Sequence, residues 1–374
     1  MSRHLLRHRE QWTNSRLWLY AKRVGMAIFF IAVLALLAVY ARKVNWSDVI
    51  QAMARYPLGS LLMAFSLAVF SYVLYGVYDL IGRAYCRHKL AVGQVMLVSF
   101  ICYAFTLTLS AWVGGIGMRY RLYSRLGLST SAITRIFSLS LATNWLGFIL
   151  LAGIVSGLGM INSPASWPVS HLALRLLGLV LSGLVAVYLL ACAFAKRRRL
   201  TIRRQKLILP SLPMAVAQLF ASCANWLTMA TIIYILLNEQ TAFTLVLGVL
   251  LVSSIAGLII HVPAGLGVLE AVFLTMLGGQ PLSHGAIIAA LMTYRALYYI
   301  GPLLLAIVLY FGLESRAGAL RRRTGHGHDR RIDCLHRGHA LEDGRRGISG
   351  CSRHPGLWRR GRRGRNQAGK PLRF

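Results

Sequence analysis

Acidic residues are scarce in this chain, which holds 10 Asp and Glu against 42 Lys and Arg and carries a formal net charge of +32. So large an excess of base is found in many nucleic-acid-binding proteins. Here, however, the bases occupy short segments between apolar runs and form no recognisable nucleic-acid-binding module. Bases placed in this way are typical of topology signals in membrane proteins, so we predict a membrane protein with no nucleic-acid partner.

Patterned cysteines and catalytic motifs are also missing. The six cysteines show no C-x-x-C spacing, which argues against a disulfide framework or a zinc site. The sequence contains no P-loop, Rossmann fingerprint, catalytic triad or paired-carboxylate pattern. We therefore predict no catalytic residue, no metal and no cofactor, and an enzyme is the least favoured function class.

Apolar residues, by contrast, make up 56% of the chain, and the mean hydropathy is +0.58. This composition excludes an ordinary soluble protein and predicts an all-α integral membrane protein. We expect about eight transmembrane helices and two short or re-entrant segments broken by glycine. The predicted spans are Val24–Tyr40, Leu58–Ile81, Val92–Ser110, Ala132–Leu158, Leu172–Ala195, Leu212–Leu237, Ala242–Ile260 and His284–Leu313.

The basic segments predict which loops lie in the cytoplasm. Residues 1–23 form a basic N-terminus, and the densest loop, Lys196–Lys206, contains seven Lys and Arg. The positive-inside rule places both in the cytoplasm together with Arg321–Arg323, and it places Asn162 and Glu239 outside.

Three segments follow from this assignment: 1–23, a transmembrane domain over 24–313, and a basic tail over 314–374. From Thr324 the tail is rich in Arg, Gly and His and shows no apolar periodicity. The sequence fits two explanations equally well, a disordered tail or an out-of-frame extension of a GC-rich gene.

Two glycine-rich breaks interrupt the apolar runs. One is Trp112-Val-Gly-Gly-Ile-Gly-Met-Arg-Tyr-Arg121, and the other is His261-Val-Pro-Ala-Gly-Leu-Gly-Val-Leu-Glu270. Broken backbone at membrane depth persists only where protein or a watery cavity surrounds it. Counting crossings between basic loops requires one extra crossing or an odd re-entry at the first break, and a crossing at the second break as well leaves the C-terminus inside. This arrangement predicts an inverted repeat with broken half-helices meeting near the midplane.

Charged residues near the breaks are the candidate site, because ions deep in a bilayer are costly and are usually paired or functional. Glu270 and Arg295 fit either a headgroup contact or a structural ion pair. Arg119 and Arg121 fit either a phosphate site at a half-helix N-terminus or side chains that reach the headgroup region. The candidate lipid- or anion-binding residues are Gly114, Gly115, Gly117, Arg119, Arg121, Pro263, Gly265, Gly267, Glu270 and Arg295.

Three further polar residues support the candidate site. Asn144 and Asn225 each precede a tryptophan inside a span, and interhelical hydrogen bonds explain them adequately. Asp79 lies one helical turn before Arg83, which it could face.

The two breaks, together with Thr143-Asn-Trp-Leu-Gly147, resemble the lysylphosphatidylglycerol synthase transmembrane-region family, in particular its stand-alone bacterial inner-membrane branch. The resemblance covers roughly residues 17–320, with the motifs in order. It implies a multi-pass inner-membrane protein related to two-part proteins that move aminoacylated phosphatidylglycerol across the bilayer. Those relatives carry a soluble synthase domain after the membrane region, and residues 324–374 are too short and too polar to form one.

Lipid translocation without lipid modification is therefore the activity that the resemblance implies, with an anionic phospholipid such as phosphatidylglycerol or cardiolipin as partner. By position, Pro263, Gly265, Gly267 and Glu270 match the family's broken helix, and Arg119 and Arg295 match its recurrent arginines. The alternative is a non-transporting membrane scaffold that partners a phospholipid-synthesis enzyme.

Overall fold

The computed structural model describes residues 56–108, 115–160, 170–194, 199–202, 205–260, 265, 267–278 and 280–315, together with Ser47, Gln51 and Ala54. Contacts divide the chain into two units, Met1–Leu304 and Leu305–Phe374. The predicted first span, the residues Gly114 and Pro263, and the tail after residue 315 lie outside the described residues.

The predicted all-α fold is confirmed. The helices are α1 (Leu58–Cys86), α2 (Val92–Thr108), α3 (Met118–Arg125), α4 (Thr130–Gly157), α5 (His171–Phe194), α6 (Leu212–Leu236), α7 (Phe243–Ile260), α8 (Val268–Leu277) and α9 (His284–Arg295). Through a π-helical turn at Ala296–Ile300, α9 continues to Ser315 as one helix. Among the described residues, six helices are long and apolar enough to cross a membrane, while α2 and α8 are shorter. A total of about eight spans stays a prediction.

A small hairpin in the predicted basic loop contains the only β-strands among the described residues. Strand β1 (Arg199–Ile202) pairs antiparallel with β2 (Gln205–Ile208), and Arg199 lies opposite Ile208. The sequence analysis did not predict this hairpin.

Local capping explains where two of the long helices begin. Ser129 precedes α4 and its side chain accepts a hydrogen bond from the Ala132 N–H. Ser283 precedes α9 and accepts in the same way from Ala286. Serine at this position satisfies one of the backbone donors that a helix N-terminus leaves unpaired.

Contacts between helices give their relative directions. Tyr56, just before α1, donates to the carbonyl of Leu236 at the end of α6, while Ser71 and Asn225 meet halfway along the two helices. Helices α1 and α6 are therefore antiparallel. In contrast, α4 runs parallel to α6, because Thr143 contacts Gln218 and Phe148, further along, contacts Trp226.

These directions place the two ends of the helices relative to the basic loops. Helix α5 runs antiparallel to α4, because Gly153 approaches Ser182 and Gly157 approaches Gly178. The strand hairpin, which follows α5, therefore lies at the opposite end of these helices from Glu239, which follows α6. The predicted separation of the basic loop from Glu239 is consistent with this arrangement. The cytoplasmic location of the basic end stays a prediction.

Helices α4 and α5 approach closely through glycine. A Cβ atom built on Gly178 would lie 2.2 Å from the Gly157 nitrogen and 2.7 Å from the Gly153 carbonyl oxygen. Both atoms belong to backbone, so neither can move without separating the helices. Small residues that allow such approaches are a common basis of packing between membrane helices.

Gly178→Ala should therefore destabilise the protein by about 1–3 kcal/mol, because the added methyl group forces α4 and α5 apart. Gly183→Ala on the same helix is the matched control. Its Cβ would meet nothing within 4 Å in the described part of the chain. There we expect a small gain, since alanine favours helix by up to about 1 kcal/mol over glycine. Thermal unfolding in detergent checks both variants, and equal effects would contradict the packing argument.

The two halves of the first unit share a pattern of helices, glycines and hydrogen bonds. Adding one constant to the residue numbers of the first half brings the C-terminal end of α1 onto that of α6. The same constant brings Gly115 and Gly117 onto Gly265 and Gly267. A slightly larger shift relates the capping serines of α4 and α9. The same shifts relate two hydrogen bonds: Tyr72 donates to the Tyr298 carbonyl, and Ser222 donates to the Asn144 carbonyl, both at 3.1 Å. Because α1 and α6 are antiparallel, the described helices have the arrangement of an inverted repeat.

Candidate functional site

The second glycine break is held by an ion pair. Gly265 and Gly267 have φ angles of +57° and +81°, in the left-handed region that favours glycine. Just after the break, Glu270 accepts from Arg295, with Nε–Oε1 at 2.6 Å and Nη2–Oε2 at 2.9 Å. This ion pair is one of the two interpretations that the sequence left open for Glu270 and Arg295, and the other, a headgroup contact, stays a prediction.

This pair also binds the backbone of the break. Arg295 Nη2 donates to the Gly265 carbonyl at 3.0 Å, and the Gly267 N–H donates to Glu270 Oε2 at 3.0 Å. Two backbone groups that a continuous helix would have paired internally are thereby satisfied, as membrane depth requires. The Glu270 side chain is 13% exposed, so the pair is not fully enclosed.

A second ion pair lies after the first break. Arg119 on α3 donates to Asp79 on α1, with Nη2–Oδ1 at 2.9 Å. Tyr123 donates to Asp79 at 2.8 Å, and Arg119 also donates to Ser140 at 3.3 Å. Both charged side chains are fully buried. The four side chains form a closed network in which each partner of the ion pair has further hydrogen bonds.

The position of Asp79 corrects one expectation and excludes one interpretation of Arg119. Asp79 bonds Arg119 rather than Arg83, whose Nε instead donates to the Leu90 carbonyl because it lies near the α1–α2 connection. Arg119 is buried, so it does not reach a headgroup region. Arg121, two residues along α3, is half-buried.

The first break differs from the second in backbone conformation. Residues Gly115–Gly117 form a π-helical turn that leads into α3, and Gly117 has a right-handed φ of −57°. The two breaks are alike in sequence and in position within the repeat but not in glycine geometry.

Buried tyrosines connect the two ion pairs. The Arg119 guanidinium lies 5.8 Å from the Tyr75 ring, which stacks on Tyr103 at 3.6 Å. The Tyr103 hydroxyl bonds that of Tyr298 at 2.9 Å, and Tyr298 stacks on Tyr294, the neighbour of Arg295. We call Tyr72, Tyr75, Tyr103, Tyr294 and Tyr298 the tyrosine cluster. The sequence analysis missed it, although the spacing of tyrosines along α1 places them on one helix face.

Proline explains one bond of this cluster. Pro302 has no N–H, so the carbonyl of Tyr298, four residues earlier, loses its usual helical partner. The Tyr72 hydroxyl donates to that carbonyl at 3.1 Å. The π-helical turn, Pro302 and Tyr72 therefore form one structural unit. The helix therefore continues past Gly301 and Pro302 without a break.

Tyr298→Phe should destabilise the protein by about 1–3 kcal/mol, because the buried hydroxyls of Ser71 and Tyr103 lose a partner. Tyr294→Phe is the matched control on the same helix. Both rings are fully buried, but in the described residues the Tyr294 hydroxyl makes no hydrogen bond. Its removal should be neutral or slightly stabilising. Chemical unfolding of the two variants in micelles separates them, and equal losses would show that ring packing alone decides.

The two asparagines differ. Asn225 accepts from Ser71 at 2.6 Å, so the predicted interhelical hydrogen bond is present. At Asn144 the backbone carbonyl, not the side chain, accepts from Ser222 and Trp226. Within the described residues the Asn144 amide group makes no hydrogen bond, so the prediction was wrong for this side chain. No three His, Cys, Asp or Glu side chains converge in that part of the chain to suggest a metal site.

A family model describing the lysylphosphatidylglycerol synthase TM region matches residues 24–306. The chain belongs to this family. It is 58% identical to the inner membrane protein YbhN of Escherichia coli over 82% of this chain and 96% of the relative. It is also 26% identical to the uncharacterized protein slr0712 of Synechocystis, over 75% of this chain and 87% of that protein.

A more distant relative has an enzyme's name. The phosphatidylglycerol lysyltransferase of Staphylococcus haemolyticus is 25% identical over 81% of this chain but only 36% of its own length. The predicted family is therefore confirmed. With the apolar helices described above, the match establishes a multi-pass membrane protein.

Proposed function

We propose that this protein resides in the bacterial inner membrane, where it binds an anionic phospholipid and moves it across. The observation that carries the proposal is that, in two inversely arranged halves, a glycine-rich segment precedes a short helix whose first turn bears a charge held by an ion pair. Half-helices within inverted repeats are the usual framework of a transport site.

The Glu270–Arg295 pair is the better candidate for headgroup contact. Its carboxylate is partly exposed, whereas Asp79 and Arg119 are enclosed with their hydrogen bonds satisfied. Arginine binds phosphate and carboxylate in the same bidentate geometry. A lipid phosphate could therefore take the place of Glu270 at Arg295 without leaving the guanidinium unpaired.

The relatives support the lipid class. One is named a phosphatidylglycerol lysyltransferase and another an inner membrane protein. A phosphatidylglycerol-like or cardiolipin-like headgroup carries the negative charge that Arg295 would bind. The proposal does not include modification of the lipid.

Translocation of fluorescent phosphatidylglycerol in proteoliposomes tests the proposal. Folded wild-type protein should accelerate movement between leaflets, and Glu270→Gln should abolish the acceleration while leaving the protein folded. Glutamine can still accept from Gly267, but it lacks the charge that would displace the phosphate from Arg295 and release the lipid. Glu239→Gln is the control, because Glu239 is exposed in the α6–α7 connection. Full activity in folded Glu270→Gln would show that translocation does not need the Glu270 carboxylate.

A non-transporting scaffold for a lipid-synthesis enzyme is the second candidate. It is favoured by the enclosure of the Asp79–Arg119 pair, which needs no ligand to satisfy its charges. Folded wild-type protein that moves no lipid would support this candidate over the first.

A further inference from the structure

A groove that involves neither ion pair opens between three helices, near the middle of α4 and α6 and in the second half of α7. It has a volume of about 180 Å³ and is lined by Asn144, Trp145, Phe148, Trp226, Ser254, Ile255 and Leu258. The residues that line the groove belong to α4, α6 and α7. Ile255 and Leu258 at its edge are 41% and 53% exposed, so the groove faces outward between the helices. We call it the lateral groove.

The polar groups of this groove are unusual for their depth. Asn144 lies near the middle of α4, and Ser254 in the second half of α7. The Asn144 amide makes no hydrogen bond within the described residues. Ser254 donates to the Leu250 carbonyl, which leaves its oxygen free to accept. An amide that faces hydrocarbon without a partner costs several kcal/mol by transfer scales.

The fold itself does not require this opening. Under the internal repeat, Asn144 corresponds to Tyr298, and the helices α4, α6 and α7 correspond to α9, α1 and α2. There the Tyr298 ring packs against Tyr72 and Tyr103, and its hydroxyl bonds Ser71. The corresponding space between helices is therefore filled by tyrosines in one half. In the other half it is left open, and the Asn144 amide has no partner among the described residues.

We infer that the lateral groove binds the glycerol-ester portion of a phospholipid at mid-membrane depth, with Asn144 donating to an ester carbonyl. The bilayer offers no other hydrogen-bond acceptor there. Terminal methyl groups of a resting lipid occupy this depth and could not satisfy the amide. The inference rests on the proposed function, because an ester at this depth belongs to a lipid that is crossing.

Two photoreactive phosphatidylglycerols in proteoliposomes test this directly. One carries a diazirine beside the ester carbonyl, and the other carries it near the chain end. In bulk bilayer the first stays near the interface and only the second reaches the midplane. Mass spectrometry should find the ester-proximal probe on Asn144–Phe148 and Ser254–Leu258 at several-fold higher yield than on Val180–Leu184. That control segment lies halfway along α5, where Val180 and Leu184 are also exposed to the membrane.

Two variants sharpen the result. Asn144→Leu should reduce ester-proximal labelling of the groove to the α5 level while chain-end labelling persists. Ser254→Phe should fill the groove and reduce both. Groove labelling by the chain-end probe alone, or ester-proximal labelling that survives Asn144→Leu, would overturn the inference.

Translocation measured on the same proteoliposomes separates this inference from the proposed function. Lipid movement without ester-proximal labelling would overturn the groove and leave the function intact. If groove labelling disappears in Asn144→Leu but the wild-type protein moves no lipid, the groove would be supported as a binding site and translocation would be overturned.

Discussion

Arg119→Met alone is expected to leave little folded protein. It removes the guanidinium and strands the Asp79 carboxylate in a fully buried position. Breaking a buried ion pair by removing one partner costs about 3–5 kcal/mol, which is a large share of the stability of most proteins. Membrane abundance and thermal unfolding in detergent measure the loss. Arg135→Met is the control, since Arg135 is exposed on α4.

The double variant Asp79→Leu with Arg119→Met should recover much of the stability, because apolar residues of similar volume often replace a buried pair at little cost. Recovery should be fuller when Tyr123→Phe is added, since the Tyr123 hydroxyl would otherwise lose its acceptor. A single variant as stable as wild type would show that Asp79 finds another partner.

Exchanging the second pair, Glu270→Arg with Arg295→Glu, is expected to destabilise the protein by several kcal/mol despite preserving the opposite charges. Arginine at position 270 cannot accept from the Gly267 N–H, and glutamate at position 295 cannot donate to the Gly265 carbonyl. Two backbone groups of the break would then be left without partners. Thermal stability equal to wild type would show that charge attraction alone holds the break.

The helices could be predicted well from the sequence because long apolar runs have few alternatives in a membrane. Seven predicted spans agree with the described helices to within a few residues, apart from the longer end of α1 at Cys86. The similar spacing of glycines in the two breaks also indicated the repeat, although the matching serine caps and hydrogen bonds emerged only from the structure.

The partners of buried charges could not be predicted in the same way. Asp79 has Arg83 one turn along its own helix, yet it bonds Arg119, which is 40 residues away. That choice depends on how α3 packs against α1, and local spacing carries no information about it. Glu270 and Arg295 were easier to pair, because few other charges lie within the apolar spans around them.

Asn144 shows a similar limit. The Asn-Trp pair occurs twice in the sequence, and the two copies look alike. In the structure the Asn225 side chain on α6 faces α1, where it bonds Ser71, whereas Asn144 faces the lateral groove. The two side chains face different neighbours, which the residue pattern along a single helix does not reveal.

The separation of Glu270 from Arg295 along the chain has a consequence for biosynthesis. The two residues are 25 positions apart, so Glu270 leaves the ribosome before Arg295 does. The short helix α8 is too brief to be inserted by hydrophobicity alone. We expect the translocon to release α6, α7 and the helix beginning at His284 first. The half-helix with Glu270 would then enter late, drawn in by a guanidinium already in place.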